Sequence, residues 1–274
     1  MPQFIGIGAQ RCATTWLAQC LGEHPDIYVP AKKELQYFDV HYEKGSDWYG
    51  QQFAPASNAQ LSGEYTPDYL PKRYALDRLI SDVPEAKLLV LLRDPVERAE
   101  SAYQLFKSRG RIEEDEFLSA LKRHDHLIDY GRYAEQLEYL FEHKSRSDVM
   151  IILFDDVKRQ PKQILSSVFS WLGVDNAECP SAGKIANLSL PAWLQKGLDS
   201  NAFLRFLAAS PIGTAAKAFR KRRHHARASK PNIDSSCADY IRQKLGTDTS
   251  NLSSLLDRDL SCWQSHPAFS QRSN

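Results

Sequence analysis

Apolar runs separated by segments of helical period predict a three-layer α/β fold, a parallel sheet flanked by helices with a helical cover at the C-terminal end. Three observations carry this reading. Phe4–Gly8, Lys87–Leu92 and Val149–Phe154 are short, nearly continuous apolar runs, the pattern of strands covered on both faces. Segments of helical spacing lie between them, and strand-helix alternation calls for parallel pairing. The first run also ends in a loop that presents a cation and two hydroxyls where a helix begins. Such loops lie at the carboxyl ends of parallel strands.

The elements follow in order. Phe4–Gly8 is a strand, and a helix runs from Thr14 to Gly22. Leu61–Tyr65 reads as a second short strand, stopped by Thr66-Pro67, and Pro71 to Ile80 as a helix. Lys87–Leu92 leads into a helix opening at Pro95, where the missing proline N–H costs nothing. Tyr130–His143 places Tyr133, Leu137, Leu140 and Phe141 at helical spacing. Val149–Phe154 is a strand and Pro161–Leu172 a helix, closed by Gly173. After Gly183 the strands stop. Pro191–Ala209, Ile212–Arg223, Asp234–Leu245 and Thr249–Leu256 read as helices, closing at Trp263. A single domain over 1–274 is expected, with an α/β core over 1–183 and a helical region over 184–266.

Composition narrows the partners. The 274 residues are 42% hydrophobic and 25% charged, with a net charge of +1, so no global attraction to polyanions arises and nucleic acid is not an expected partner. No apolar run approaches a membrane span, and the first strand begins near Met1, so a cytoplasmic location is expected. Five scattered cysteines, Cys12, Cys20, Cys179, Cys237 and Cys262, read as free thiols in a reducing compartment. No cysteine-histidine spacing suggests zinc.

Chemistry concentrates in Gly8-Ala9-Gln10-Arg11-Cys12-Ala13-Thr14-Thr15-Trp16-Leu17. Helix-start N–H groups and the helix dipole favour an anion there. The loop is P-loop-like, but Ala13 stands in place of the second glycine and Thr14 in place of the lysine. The cation has moved to Arg11. The threonines also suit simple helix capping.

This segment resembles the 5′-phosphosulfate loop of sulfotransferases that use 3′-phosphoadenosine 5′-phosphosulfate, PAPS. A second segment, from Leu88 through Arg93-Asp94-Pro95 to Arg98, Ser101 and Tyr103, is similar to that family's 3′-phosphate motif, a strand ending in R-D-P before R-x-x-S-x-Y. The chain is identified as a member of the heparan-sulfate and carbohydrate type, in a soluble bacterial form. The resemblance implies that Gly8, Ala9, Gln10, Arg11, Cys12, Ala13, Thr14, Thr15 and Trp16 form the donor loop. It implies that Arg93 and Ser101 hold the 3′-phosphate, that adenosine 3′,5′-bisphosphate is the product, and that no metal is needed. Arg11 would neutralise the leaving phosphate. Asp94 reads as a helix N-cap and Cys12 as an inert small residue.

Gly63-Glu64-Tyr65-Thr66-Pro67-Asp68-Tyr69 resembles the G/V-E-x-[TS]-P-x-Y segment of the sugar enzymes, which makes Glu64 the expected general base. The alternative is a carboxylate paired with a neighbouring lysine or arginine. The eight histidines read mostly as surface or loop residues. Lys33 and Glu34, in a K-E-x-x-F-like segment, are expected near a hydroxyl-bearing carbohydrate or small-molecule acceptor. Tyr37, Phe38 and Trp48 suit either the core or sugar stacking. The basic stretch Arg220–Lys230 reads as a solvated helix end, as a loop closing over PAPS through Arg227, or as an acceptor dock. Three other readings stay open: sulfation of a small secondary metabolite, a P-loop nucleotide kinase, and a non-catalytic nucleotide-binding protein. Magnesium dependence separates the kinase, and tight nucleotide binding without transfer separates the scaffold.

Overall fold

The computed structural model describes residues 1–32, 34–57, 60–184 and 235–264. Lys33, Arg227, the basic stretch and the helices expected over 191–209 and 212–223 fall outside the described residues. Five strands form one parallel sheet: β1 (Phe4–Gly8), β2 (Ile27–Tyr28), β3 (Leu61–Tyr65), β4 (Lys87–Leu92) and β5 (Val149–Leu153). Their order is β2-β3-β1-β4-β5, and every pairing is parallel. β1 is central. The chain reaches its two neighbours, β3 and β4, on opposite sides, so the crevice for a ligand lies past the carboxyl ends of these three strands.

Helices cover both faces: α1 (Thr14–Gly22), α2 (Gly45–Gln51), α3 (Arg73–Asp82), α4 (Pro95–Ser108), α5 (Phe117–Arg123), α6 (His126–Asp129), α7 (Tyr133–His143), α8 (Phe154–Arg159) and α9 (Pro161–Leu172). Toward the C-terminus lie α10 (Ser235–Leu245), α11 (Asp248–Leu256) and α12 (Ser261–Gln264). The last strand stops one residue earlier than its apolar run, because Phe154 already opens α8. The helix expected from Pro71 begins at Arg73, and that expected from Tyr130 begins at Tyr133. Two-residue β2 and the short helices α2, α5, α6 and α8 carry too few residues for a period to show.

The main core packs Trp16 and Leu17 of α1, Leu88 to Leu92 of β4, Leu137 of α7 and Phe169 of α9. Leu252, Leu260 and Trp263 join it from the C-terminal end. A second cluster joins Ala99, Tyr103, Phe117, Leu121 and Leu127 to Cys237, Ile241 and Leu245 of α10. Asp248 of α11 accepts from the Ala134 and Glu135 N–H groups at 3.3 and 3.2 Å. It thereby caps α7, whose own N-cap residue, Arg132, contributes no side-chain bond. His24 lies in the loop expected for it, between α1 and β2, and is buried there. Its Nδ1 accepts from Asp26 N–H at 3.1 Å, which leaves Nε2–H to donate to the Asp175 carbonyl at 2.7 Å.

Trp16 is 0% exposed and donates its indole N–H to the Ala182 carbonyl at 3.2 Å. Trp16→Ala is expected to cost about 3–5 kcal/mol through the cavity it leaves, read as a lower denaturant midpoint at unchanged slope.

Candidate active site

The loop from Gly8 to Thr15 sits over the sheet at the end of β1. A Cβ on Gly8 would lie 2.6 Å from the Leu70 side chain, so the strand end tolerates no larger residue. Ala9 N–H donates to the Leu91 carbonyl of β4 at 2.7 Å and fixes the loop against that strand. Arg11 and Ala13 adopt left-handed backbone, at φ 72° and 65°. Ala13 is the N-cap of α1 and supplies no side-chain bond. Both threonines follow the N-cap position, inside α1, and first-turn N–H groups at the end of such a loop are of the kind that binds anions.

Arginines converge on this loop. Arg11 donates Nε–H to Ser101 Oγ of α4 at 2.9 Å, so the loop cation and the predicted 3′-phosphate hydroxyl meet directly. Burial, then the like charges of Arg93 and Arg109, hold the Arg11 pKa below its ordinary value. Arg109, at the end of α4, was not singled out by the sequence. Arg93 bonds Glu97 Oε2 through Nε and Nη2 at 2.9 and 2.7 Å and lies 4.9 Å from the Phe154 ring centroid. Asp94 Oδ1 accepts from Val96 and Glu97 N–H at 2.7 and 3.3 Å, the cap its position implied. The Cys12 thiol lies 3.7 Å from Tyr133 Oη. Burial pushes it up to about 11 against the pull of Arg98, Arg93 and Arg11, which leaves it protonated and inert.

Glu64 lies one residue from the end of β3 and is 2% exposed. No lysine or arginine pairs with it among the described residues. Thr66 donates to Oε2 at 2.7 Å, and Tyr69 and Tyr49 donate to Oε1 at 2.9 and 3.2 Å. These partners in turn order the segment after Glu34. Tyr69 Oη accepts from Tyr37 N–H at 2.8 Å, and Thr66 Oγ1 from Gln36 N–H at 3.2 Å. Burial lifts the Glu64 carboxyl to about 7, partly opposed by its bonds from Thr66, Tyr69, Tyr49 and the Leu35 backbone. A carboxyl held near neutrality suits proton transfer.

Tyr37 and Phe38 are core residues, with Tyr37 stacked on Tyr49 at 4.3 Å, while Trp48 is only half-buried. Glu34 is half-buried on the same side as Asp68. Asp68 ties this wall to the loop after β1 by accepting from Gln10 Nε2 at 2.9 Å. Burial raises its pKa and Lys72 opposes the rise, while Glu34 and Asp39 add to it. Thus the structure gathers Gly8 to Trp16, Arg93, Ser101 and Glu64 at one end of the sheet. It adds Tyr49, Thr66, Asp68, Tyr69, Arg98 and Arg109. Thr66 and Tyr69 were already visible as letters of the E-x-T-P-x-Y spacing; Tyr49, a segment away, gave no such signal.

The profile of the sulfotransferase domain matches residues 1–189. The chain belongs to the sulfotransferase domain family. It is 35% identical over 155 residues to the membrane-associated sulfotransferase kil1 of Dictyostelium discoideum, covering 56% of this chain and 29% of that protein. It is 32% identical over 182 residues to human heparan sulfate glucosamine 3-O-sulfotransferase 3B1, covering 64% of this chain and 46% of that protein. The chain thus matches less than half the length of either relative. A solved sulfotransferase from Alicyclobacillus acidocaldarius shares the fold at a TM-score of 0.71 and 24% identity, over 97% of this chain and 99% of that one.

Proposed function

We propose that this sulfotransferase-family chain moves a sulfuryl group from PAPS to a hydroxyl of a carbohydrate or glycolipid, with Glu64 as general base. The observation that carries this reading is Glu64. It is a buried carboxyl with a pKa of about 7, held by Thr66, Tyr69 and Tyr49 at the strand end beside the loop. The donor would supply an activated sulfuryl group on a phosphate leaving group. The site fits such an anion: α1 begins without a side-chain cap, and Arg11, Arg93 and Arg98 surround the loop with positive charge.

In this reading Glu64 takes the proton of the acceptor hydroxyl as its oxygen forms the new bond to sulfur. Arg11 and the α1 N–H groups take up the charge that gathers on the departing phosphate oxygen. Arg93 and Ser101 fix the 3′-phosphate, and Arg93 turns from Glu97 toward that group or shares it. Gly8 to Trp16 bind the 5′ side through backbone donors, with Gln10 also tied to Asp68. Glu34 stands on the acceptor wall; Lys33 and Arg227, proposed for acceptor and donor, lie outside the described residues. A carbohydrate acceptor is supported by the likeness to the heparan sulfate enzyme, and a small secondary metabolite is the next reading. One domain remains our proposal for the chain, with a cytoplasmic location. Among the described residues no helix is long and apolar enough to cross a membrane.

A kinase reading is disfavoured by Asp94, its one tempting magnesium ligand, because Oδ1 caps α4. Calorimetric titration with adenosine 3′,5′-bisphosphate, without magnesium, tests the proposal. Micromolar binding is expected, much weaker for ATP. Arg93→Ala is expected to weaken it by roughly tenfold to a hundredfold, the effect of losing a charge-assisted contact of about 1.5–3 kcal/mol. Magnesium-dependent ATP binding instead would reject the reading.

A further inference from the structure

Among the described residues Arg98 is the largest charged side chain withdrawn completely from solvent, at 0% exposed. It lies on α4 between Arg93 and Ser101, and three residues before Ser101, so the two share a helix face. Its Nη2 donates to the Leu127 carbonyl, while Nε and Nη1 have no hydrogen-bond partner among the described residues. No carboxylate lies within ion-pair distance of it there. Gly131 allows this close packing: a Cβ at that position would stand 3.1 Å from the Pro95 side chain and 3.6 Å from Arg98 Nε.

A buried guanidinium without an anion is costly, and the single bond to the Leu127 carbonyl satisfies only one arm of the fork. Its surroundings point to the loop that begins at Gly8. Ser101, on the same face of α4, accepts from Arg11 of that loop at 2.9 Å, and the Arg98 charge also reaches the Cys12 thiol of the loop. Its field is felt by Tyr133, Cys12 and Tyr130, and it meets the like charge of Arg93; His126 also lies close enough to feel it. None of these named groups is a carboxylate.

We propose that Arg98 is a positioning residue of the donor site: a solvent-shielded cation beneath the phosphate loop, left uncompensated until phosphate groups bind above it. The proposal rests on the donor reading given above and extends it from the residues that touch phosphate to one that never does. A fixed charge in a water-excluded setting attracts an anion without reorganising. The cost of leaving it unpaired falls on the ligand-free protein and is recovered on binding.

This reading fixes two signs at once. Adenosine 3′,5′-bisphosphate is titrated by calorimetry into wild type, Arg98→Gln, Arg98→Lys and Arg98→Met, and each ligand-free protein is unfolded with denaturant. Gln keeps a donor for the Leu127 carbonyl but loses the charge; Lys keeps the charge. Gln and Met are expected to weaken binding by roughly tenfold or more, the scale of one charge at short range, and Lys to restore most of it. Ligand-free Arg98→Gln is expected to be at least as stable as wild type. Should Met fail to fold, the Gln and Lys pair decides. Equal binding by Gln and wild type overturns the proposal, and so does an equal loss in Lys and Gln, which would mean that shape and not charge matters. A Gln variant that is less stable with affinity intact makes Arg98 a structural residue only. No binding by folded wild type removes the donor reading itself, an outcome distinct from all of these.

Discussion

Glu64→Gln is expected to lower sulfuryl transfer by about 10²–10⁴-fold, the range for a positioned general base, while binding of adenosine 3′,5′-bisphosphate stays within about twofold of wild type. The substitution is nearly isosteric. The amide oxygen still accepts from Tyr69 and Tyr49, and the Thr66 hydroxyl, which now donates to Oε2 at 2.7 Å, rotates to accept from the amide nitrogen. The packing around Tyr37, Tyr49 and Tyr69 is therefore retained and only proton acceptance is lost. Initial rates with a hydroxyl acceptor, beside calorimetry on the same preparations, check both halves. A variant that keeps wild-type turnover would reassign Glu64 to holding the segment after Glu34 in place.

The pH profile carries the same prediction independently. Glu64 must be ionised to accept a proton, and its pKa is raised from the usual 4.5 to about 7, so kcat/KM is expected to fall as pH drops below about 7. For stability the sign is opposite. The folded protein holds this proton more tightly than the unfolded chain, so the contribution is fully present below 4.5 and is lost as pH rises through about 7. Glu64→Gln removes that dependence. An enzyme with an activity limb near the usual carboxyl value would contradict the buried, hydroxyl-bound carboxyl seen at the end of β3.

What could be read in the sequence was what neighbouring residues decide. Strand ends at Gly8 and Leu92 follow from apolar runs that stop at a glycine and a charged pair, and Asp94 before Pro95 is a local cap. Thr66 and Tyr69 reach Glu64 from two and five residues away, so a short spacing preserved them. What could not be read depends on sheet order. Arg11 and Ser101 are 90 residues apart and Gln10 and Asp68 are 58 apart. They meet only because β1 lies between β3 and β4. The capping of α7 by Asp248 is of the same kind. The burial of His24 within its expected loop is of the same kind: its ring is satisfied by a carbonyl past the end of α9, at Asp175, and nothing around it in sequence marks it as buried. Arg98 is visible as a motif letter, but its lack of a carboxylate partner among the described residues is a property of the packed fold.

Arg11→Ala is expected to reduce kcat by about 10²–10³-fold, the effect of removing one preorganised donor to developing charge, with a smaller change in donor KM. The argument turns on when each arginine meets negative charge. A 3′-phosphate carries the same charge before, during and after transfer, so Arg93 in its proposed role would bind ground and transition states alike, and its loss is expected to fall on KM. The bridging oxygen beside the loop gains charge only as its bond to sulfur breaks, so a cation aimed there acts on kcat. The geometry around Arg11 supports that proposed role: Ser101 anchors its Nε at 2.9 Å, and burial, then the fields of Arg93 and Arg109, hold its pKa below the ordinary value. Arg11→Lys keeps the charge and is expected to recover most of the loss, since a compact ammonium can still reach a phosphate oxygen although it forfeits the fork. Steady-state kinetics with donor varied at saturating acceptor separates the two arginines. If Arg11→Ala raised KM and spared kcat, Arg11 would join Arg93 as a phosphate anchor, and charge stabilisation at the leaving oxygen would fall to the N–H groups of α1 alone.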